Sequence, residues 1–380
     1  MSAILIWAAV FRLILLPSTP WLSDDIWRYM WEGRLQWHGV NPYAHAPDDP
    51  ALEHLRDGIY EKVNHRHLPA IYPPVTQWAM ALGASAGPSV LAMKGIFVLA
   101  EAGVVLALLA LLRRRGLPAS RVLLYAWNPL AVVEVAGSGH NDPLGIAFLL
   151  AATAAIIGER PVMSMASLAL SGLSKLFPWC LFLLFARRAR AALLLLPGLA
   201  LVCYLPYLGA GSGLFRSTRA YAESWRSNDV LFGLLVAAVN VTGLSPRLTT
   251  WMSAHGLENL YGQPHMIARV AAALILAAWM ALLVRRQATH RLPVEKGIFL
   301  FTAAMLLLLP TLHPWYLLWI LPWLCLYPSA AWLALAGLVP LGYQVSAWTR
   351  WVEFVPFYAL LAVTALSRRR RGKPVIEWSP

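Results

Sequence analysis

Apolar residues lie along this chain in long runs, which short polar or basic connections separate. The first run extends from Ala3 to Leu16 and contains Arg12. The later runs cover 88–112, 119–137, 142–157, 163–186, 191–208, 229–243, 266–284, 297–312, 315–327, 330–346 and 354–367. A helix needs about 20 residues to cross a bilayer core, so the shorter runs must tilt, recruit flanking residues or enter without crossing. The pattern predicts an all-α integral membrane protein.

The polar stretches between the runs indicate how the chain is organised. A first loop at 20–77 and a second region at 209–264 are the long ones. We expect 163–186 to split into two short helices around Ser174–Pro178, and 229–243 to dip in without crossing. This gives a multi-pass helical bundle of about 12 transmembrane helices with both termini inside. We assign 1–380 to a single integral-membrane domain.

Composition and charge support a place in the bilayer and set the orientation. Hydrophobic residues make up 59% of the chain and charged residues 13%, against roughly 25% charged residues in soluble domains. The net charge of +13 would suggest nucleic acid in a soluble protein, but here arginines cluster at short connections, at 113–115, 187–190, 285–286 and 368–371. By the positive-inside rule these ends are cytoplasmic, as is the basic tail 368–380, and both long polar regions are extracytoplasmic. We therefore expect no nucleic acid partner.

The first loop opens with acidic residues at the start of a predicted helix. If 24–37 is helical, Asp25, Arg28 and Glu32 share one face, with Asp24 at its edge. Trp27, Trp31 and Leu35 form an apolar stripe on another face, which is typical of an amphipathic helix at the water–lipid boundary.

Two interpretations of this helix are open. In the first, Ser23 and Asp24 cap the helix, and Arg28 and Glu32 form a solvated pair. In the second, the carboxylates supply a general base that deprotonates a hydroxyl attacking a lipid-linked donor. Either aspartate is suited to that role, with the other orienting it.

Further polar residues lie at or inside the apolar runs, where they are costly and informative. Tyr72 precedes two prolines, which forbid regular helix and predict a turn at headgroup depth. Lys175 needs an anion, which is either a phosphate or one of the intramembrane glutamates Glu101 and Glu134. His313–Tyr316 ends a later run and is alternatively an ordinary aromatic belt.

Taken together, these residues resemble the GT-C superfamily glycosyltransferases that use polyprenyl-phosphate sugars. Closest in pattern are the bacterial polyprenol-phosphate-mannose-dependent alpha-mannosyltransferases, including glycosyltransferase family 87. The resemblance rests on Ser-Asp-Asp-Ile-Trp-Arg-Tyr-Met-Trp-Glu-Gly-Arg at 23–34, Gly-Val-Asn-Pro-Tyr at 39–43, Ile-Tyr-Pro-Pro at 71–74, Trp-Asn-Pro-Leu at 127–130, Gly-His-Asn-Asp at 139–142, Ser-Lys-Leu-Phe-Pro at 174–178 and His-Pro-Trp-Tyr at 313–316. Relatives often have Asp in place of Glu32 and more chain before the first helix.

The resemblance implies an inverting transferase in the cell inner (plasma) membrane with its active site on the extracytoplasmic side. A polyprenyl-phosphate-linked hexose, with mannose favoured, would be donated to a hydroxyl of a glycolipid or polysaccharide acceptor. The implied base is an acidic residue of the first loop, and Asp25 is preferred to Asp24 because Tyr29 follows four residues later. No cofactor is expected, and a divalent metal is not demanded, because basic side chains can stabilise the departing phosphate.

The remaining candidate residues fall into two groups. Those expected to bind the donor phosphate are Arg28, Arg34, Tyr72 and Lys175, with Arg216, Arg219 and Arg226 as further candidates. Those expected to bind the sugar or acceptor are Glu32, Asn41, Tyr43, Gln77, Glu134, His140, Asn141, Asp142, His313 and Tyr316.

Two other function classes remain open, a transporter or flippase of lipid-linked sugars and a receptor or scaffold without chemistry. A transporter places its charged residues near the membrane midplane. Here carboxylates are concentrated in the first loop, which favours the enzyme.

Overall fold

The computed structural model describes residues 1–289, 292–344 and 346–372, and these residues form helices joined by turns. Apart from an isolated bridge between Ser227 and Thr311, the described part of the chain contains no β-structure. The all-α prediction is therefore confirmed. The end of the predicted basic tail, 373–380, lies outside the described residues.

The α-helices vary widely in length, from single turns to long spans. In chain order they are α1 (Ser2–Leu15), α2 (Asp25–Trp37), α3 (Pro74–Ala84), α4 (Val90–Arg114), α5 (Leu123–Ala126), α6 (Pro129–Val132), α7 (Asp142–Ile157), α8 (Pro161–Gly172), α9 (Phe182–Ala186), α10 (Leu195–Tyr204), α11 (Arg216–Ser224), α12 (Leu231–Thr242), α13 (Leu244–Ala254), α14 (Pro264–Ala288), α15 (Val294–Leu308), α16 (Leu321–Leu324), α17 (Ala330–Leu338) and α18 (Ala347–Arg370).

The chain divides into two compact units. The first comprises Met1–Tyr221 with Leu321–Pro328, and the second comprises Ala222–Ile320 with Ser329–Pro380. The first contains α1 to α10 and α16, and it includes the whole predicted first loop, 20–77. The assignment of 1–380 to one domain stays a prediction.

The described helices include fewer candidate membrane spans than the crossings that the sequence predicts, so the number of about 12 stays a prediction. Among the described residues, four helical stretches are long and apolar enough to span a bilayer, at Val90–Arg114, Arg190–Ser224, Pro264–Ala288 and Trp348–Arg370. The bent pair α12 and α13 raises the number to five. The expected 12 or so crossings are not shown, because several apolar runs are broken into pieces shorter than a bilayer core requires. The protein is nevertheless a multi-pass membrane protein by these helices.

One break that the sequence predicts is present, and the segment expected to dip in without crossing is followed by a sharp bend. The run 163–186 divides into α8, which ends at Gly172, and α9, with a short 3₁₀ segment at Phe177–Leu181 between them. The run 229–243 becomes α12, which turns by 72° into α13. Pro178 explains the break, because proline removes a backbone donor and clashes with the preceding turn.

A buried ion pair and a buried lysine join α1 to α4 beneath the first loop. Arg12 donates from Nε to Glu101 Oε2 over 2.8 Å and from Nη2 to Oε1 over 2.7 Å. Lys94 Nζ donates to the carbonyls of Leu15 and Ser18 over 2.9 and 2.8 Å, at the carboxyl end of α1. These bonds satisfy helix-end carbonyls and fix α1 against α4, because an unpaired buried charge is strongly unfavourable.

Candidate active site

Helix α2 carries the candidate base and is held tightly in the first unit. Gly33 lies where α2 crosses α3, and a Cβ there would come within 2.3 Å of the Met80 carbonyl oxygen. Glycine is therefore required for this close approach. The predicted helix at 24–37 agrees with the observed Asp25–Trp37.

The apolar stripe of α2 is not at the water–lipid boundary, as the sequence suggests. Trp31 and Leu35 are 0% and 1% exposed. The Trp31 ring packs 5.3 Å from Tyr60, and Lys62 Nζ lies 4.2 Å above the Trp27 ring. The interfacial placement is wrong for these residues, because the rest of the first loop folds over the stripe and buries it.

The two aspartates at the start of α2 are bridged by one amide. Asn64 Nδ2 donates to Asp24 Oδ1 over 2.8 Å and to Asp25 Oδ1 over 2.9 Å. Asp24 occupies the N-cap position but makes no side-chain capping bond. The capping interpretation of Asp24 is therefore wrong, because its carboxylate accepts from Asn64 instead.

The second carboxylate oxygen of Asp25 points toward aromatic side chains. Tyr29 Oη donates to Asp25 Oδ2 over 3.5 Å, and the hydroxyls of Tyr29 and Tyr72 are 3.2 Å apart. Burial, followed by the nearby Tyr72 and Asp25, raises the pKa of Tyr29 well above its usual 10. Burial and Asp25 raise the pKa of Tyr72 in the same direction. Both phenols therefore remain neutral donors at physiological pH.

A π-helical segment places the Glu134 carboxylate and the His140 imidazole close to Asp25. The segment spans Val133–Gly137, and Gly139 follows it with a φ of 81°. The chain then folds back, so that the His140 amide donates to the Glu134 carbonyl over 3.0 Å. His140 Nε2 lies 3.2 Å from Glu134 Oε2, and its Nδ1 lies 3.9 Å from Asp25 Oδ2. π-Segments are frequent at functional sites.

On the other side of Tyr72, a lysine is paired with a buried carboxylate. Lys175 Nζ donates to Asp142 Oδ1 over 2.5 Å and lies 5.9 Å from the centre of the Tyr72 ring. Asp142 opens α7 and is 1% exposed, whereas the Lys175 side chain is 20% exposed. The carboxylate that Lys175 contacts here is therefore Asp142, a residue that the sequence analysis assigned to the sugar or acceptor.

Asn141 stands next to this pair at the N-cap of α7. It is 2% exposed, and neither its amide nitrogen nor its amide oxygen has a hydrogen-bond partner among the described residues. A buried amide without partners is unfavourable by about 1–3 kcal/mol. Such a group is suited to a ligand that brings its own hydroxyls.

Arg28 is placed where no ligand is needed to satisfy it. Its Nε donates to Glu32 over 2.8 Å, and its two terminal nitrogens donate to the carbonyls of Asn64, His65, Leu68 and Pro69. A guanidinium has five N–H donors, and all five are used. The geometry favours a structural role over the predicted phosphate contact.

Other predicted binding residues also bond to the protein itself. Arg34 forms an ion pair with Asp57 and donates to the Leu55 carbonyl over 2.7 Å. Gln77 Nε2 donates to Glu32 Oε2 over 2.6 Å.

Asn41 and Tyr43 belong to the same internal network in the first unit. Asn41 Nδ2 donates to the Tyr207 carbonyl over 3.0 Å, and Tyr43 Oη donates to the Tyr72 carbonyl over 2.6 Å. Their predicted sugar contacts stay predictions, as do those of Glu32 and Gln77. The observed bonds make all four supports of the first loop.

The predicted residues His313 and Tyr316 lie in the second unit. The His313 ring stacks on Trp315 with 4.3 Å between ring centres and meets Tyr316 edge-on at 5.3 Å. Arg226 in the same unit pairs with Asp229 over 2.5 Å. In the first unit, Arg216 and Arg219 are exposed.

Two residues of the site are absent from the sequence-based candidates, Asn64 and Gly139. Asn64 is an ordinary loop residue whose role depends on a contact with residues about 40 positions earlier. Gly139 carries a positive φ that a glycine before His-Asn-Asp only weakly signals. Within the described residues, no group of three or more histidine, cysteine or acidic side chains is placed to hold a metal ion.

Comparisons with known proteins identify the family of the chain. The family described as Alpha-(1→6)-mannopyranosyltransferase, N-terminal domain, matches residues 1–190, which contain Asp25, Asn64, His140 and Lys175. A probable alpha-(1→6)-mannopyranosyltransferase of Mycolicibacterium smegmatis is 25% identical over 376 residues, which cover 85% of this chain. The chain spans 64% of that relative's length. No solved structure matches. Because the family match covers half of the sequence, the chain belongs to the alpha-(1→6)-mannopyranosyltransferase MptA/B family of enzymes.

Proposed function

We propose that this protein transfers mannose from a polyprenyl-phosphate donor to a hydroxyl of a glycolipid or glycan acceptor, with inversion and with Asp25 as general base. The observation that carries the proposal is the setting of the Asp25 carboxylate. Asn64 holds its Oδ1 over 2.9 Å, while the side chain remains 22% exposed and its Oδ2 faces Tyr29 and His140. An anchored carboxylate whose side chain stays partly exposed suits proton abstraction.

The reaction requires one proton transfer and one displacement. The acceptor oxygen attacks the anomeric carbon of mannose from the face opposite the phosphate, and its proton passes to Asp25. The bond between the anomeric carbon and the phosphate oxygen breaks at the same time. The polyprenyl phosphate departs as an anion, so its oxygen needs no proton.

Charge that develops on the departing phosphate needs a cation nearby. Lys175 is the best placed of the predicted phosphate-binding residues, since it is 20% exposed and lies 5.9 Å from the Tyr72 ring. Arg28 and Arg34 are committed to internal acceptors. The amino end of α7, a 16-residue helix, adds a favourable partial charge. No step of this proposal is assigned to a metal or cofactor.

Asn141 and Asp142 are the proposed sugar contacts in the first unit. The Asn141 amide is buried with no partner among the described residues, and one Asp142 oxygen accepts from Lys175. Amides and carboxylates bind vicinal hydroxyls by accepting and donating in fixed directions. The acceptor contacts expected of His313, which stacks on Trp315, and of Tyr316, which meets Trp315 edge-on, stay predictions.

The proposed location is the extracytoplasmic side of the plasma membrane. The basic residues Arg113 and Arg114 end the span α4, and Arg285 and Arg286 end the span α14. These ends are cytoplasmic by the positive-inside rule. The loop that carries Asp25 then lies on the opposite side.

The transporter alternative loses its main motivation. Glu101 pairs with Arg12, and Lys175 pairs with Asp142. These pairs give the buried charges partners within the protein, so they do not require a transport pathway.

The test is a transfer assay on the purified protein in nanodiscs. Radiolabelled mannose, glucose, galactose and arabinose are each supplied on a polyprenyl phosphate, with octyl α-(1→6)-mannobioside as acceptor. The proposal predicts transfer from the mannose donor and a product with inverted configuration. Retention of configuration, or uptake of labelled lipid without a new glycosidic bond, would contradict it.

A further inference from the structure

The cluster behind Asp25 contains two side chains that no solvent reaches. Glu134 and His140 are both 0% exposed, whereas the Asp25 side chain is 22% exposed. The facing polar atoms of Glu134 and His140 are directed at each other and at Asp25. This geometry disfavours the sugar contacts that the sequence suggests for these two residues.

The polar atoms of Glu134, His140 and Asp25 follow one another in that order, and this line ends at Asp25, the proposed base. Glu134 Oε2 is 3.2 Å from His140 Nε2, and His140 Nδ1 is 3.9 Å from Asp25 Oδ2. A carboxylate on one ring nitrogen sets the tautomer and orientation of an imidazole. We assign the imidazole proton to Nε2, the nitrogen nearer Glu134, which leaves the Nδ1 lone pair on the Asp25 side.

The backbone is built to maintain this line. The π-helical segment and the positive φ of Gly139 return the chain so that His140 stands over Glu134. A Cβ on residue 139 would lie 2.5 Å from Ile26 Cδ1 and 3.0 Å from Lys94 Cγ. Ile26 of α2 and Lys94 of α4 therefore leave no room for a side chain at this turn. The turn packs directly against α2, the helix that begins at Asp25.

We propose that Glu134 and His140 are positioning residues for Asp25, with His140 receiving the proton that Asp25 takes from the acceptor. This inference rests on the proposed function and names the device that serves its base. In the first step the acceptor O–H bond breaks and the proton joins Asp25 Oδ2. In the second step the proton crosses the 3.9 Å from Asp25 Oδ2 to His140 Nδ1 by way of one bridging water, and the Asp25 carboxylate regains its charge. The resulting imidazolium is stabilised by the Glu134 carboxylate, and the proton leaves to water by the same route after product release.

Other titratable side chains contact this cluster, and the test leaves them unsubstituted. They are Tyr29, Tyr72, Asp142 and Lys175. None lies between Glu134 and His140 in the contacts described above, so variants of these two residues address the line directly.

The test compares variants in nanodiscs, with polyprenyl-phosphate [¹⁴C]mannose as donor and octyl α-(1→6)-mannobioside as acceptor. Glu134→Gln keeps the shape and removes the charge, and His140→Ala removes the imidazole. We expect kcat to fall about 10- to 100-fold in each, the range typical of lost orienting partners. KM for donor and acceptor should change less than about threefold, because neither side chain touches substrate. His140→Asn, which keeps a polar atom near the Nδ1 position but cannot take up the proton, should stay as slow as His140→Ala.

Ser138→Ala is the matched control, because Ser138 is 3% exposed in the same segment and has no role in the line. It should retain the wild-type kcat. Unchanged kcat in Glu134→Gln or His140→Ala would overturn the inference, and so would a raised KM with unchanged kcat, which is the result expected of a sugar contact. If Glu134→Gln does not give monodisperse protein, the His140→Ala and His140→Asn pair decides alone.

Asp25→Asn in the same assay separates the two proposals. If the Asp25→Asn variant is inactive while the Glu134→Gln and His140→Ala variants have normal rates, the inference is wrong. The assignment of Asp25 as the base then still stands. An active Asp25→Asn sinks the proposed function, and the inference falls with it.

Discussion

The side-chain amide of Asn64 lies 2.9 Å from Asp25 Oδ1 and 2.8 Å from Asp24 Oδ1 and donates to both. Two carboxylates this close repel each other, and an amide that donates to both reduces the repulsion. Asn64 therefore links the 50–69 part of the first loop to the start of α2. It also leaves Asp25 Oδ2 as the oxygen directed at the site.

Replacing Asn64 with alanine should slow transfer by about 10- to 100-fold, since a hydrogen bond to a charged group contributes about 1.5–3 kcal/mol. Asn64→Asp should be worse, because it adds a third carboxylate beside two others. Initial rates at saturating donor and acceptor measure the effect. His67→Ala, in the same loop at an exposed position, is the control and should keep full activity. An Asn64→Ala enzyme as fast as wild type would remove Asn64 from the site.

Lys175 is expected to bind the donor phosphate as well as Asp142. Lys175→Met should weaken donor binding at least tenfold, measured by displacement of a fluorescent polyprenyl phosphate, because the phosphate loses its cation. The double variant Lys175→Met/Asp142→Asn removes the buried charge that Lys175 neutralises. If Lys175 serves only Asp142, the double variant regains donor affinity. Our proposal predicts that it stays weak.

The Arg12–Glu101 pair should matter for stability and not for chemistry. Arg12→Leu leaves the Glu101 carboxylate buried without its cation and should cost about 3–5 kcal/mol. The double variant Arg12→Leu/Glu101→Leu should be close to wild type, because apolar replacement of a whole buried pair is often neutral or stabilising. Thermal unfolding in detergent, followed by size-exclusion chromatography, gives the ranking. A double variant as unstable as the single one would contradict this account.

Gly139→Ala tests the turn that precedes His140. Alanine at a φ of 81° is strained, and its Cβ would clash with Ile26 and Lys94. We expect a stability loss of about 1–3 kcal/mol and a large loss of transfer rate. Gly198→Ala is the control, because Gly198 has a helical backbone and open space around its Cβ position. Equal behaviour of the two variants would show that the turn does not shape the site.

The sequence predicted those features that depend on local chemistry. The amphipathic spacing at 24–37 predicted α2 within one residue, and the proline pair at 73–74 predicted the turn that precedes α3. The membrane class followed from composition. The family resemblance was confirmed by the match over residues 1–190.

What the sequence could not predict depends on contacts between distant segments. The spacing of Trp31 and Leu35 indicates an apolar face but not what covers it, and the covering loop residue Tyr60 is 29 positions away from Trp31. From the sequence, Arg28 looked available to bind a phosphate. In the structure four of its five acceptors are backbone carbonyls at 64–69, and no sequence pattern reveals them. Hydropathy also does not show where an apolar run is broken into short helices, so the number of crossings stays a prediction.

The central claim is that Asp25 removes the acceptor proton, and one measurement tests it most directly. Single-turnover transfer from polyprenyl-phosphate [¹⁴C]mannose is compared for wild type, Asp25→Asn and Asp24→Asn, with donor binding measured on the same samples. We predict that Asp25→Asn binds donor normally and loses transfer by about 10²- to 10⁴-fold, the contribution of a general base, while Asp24→Asn loses far less. Near wild-type transfer by Asp25→Asn, with the loss found in Asp24→Asn instead, would contradict the account.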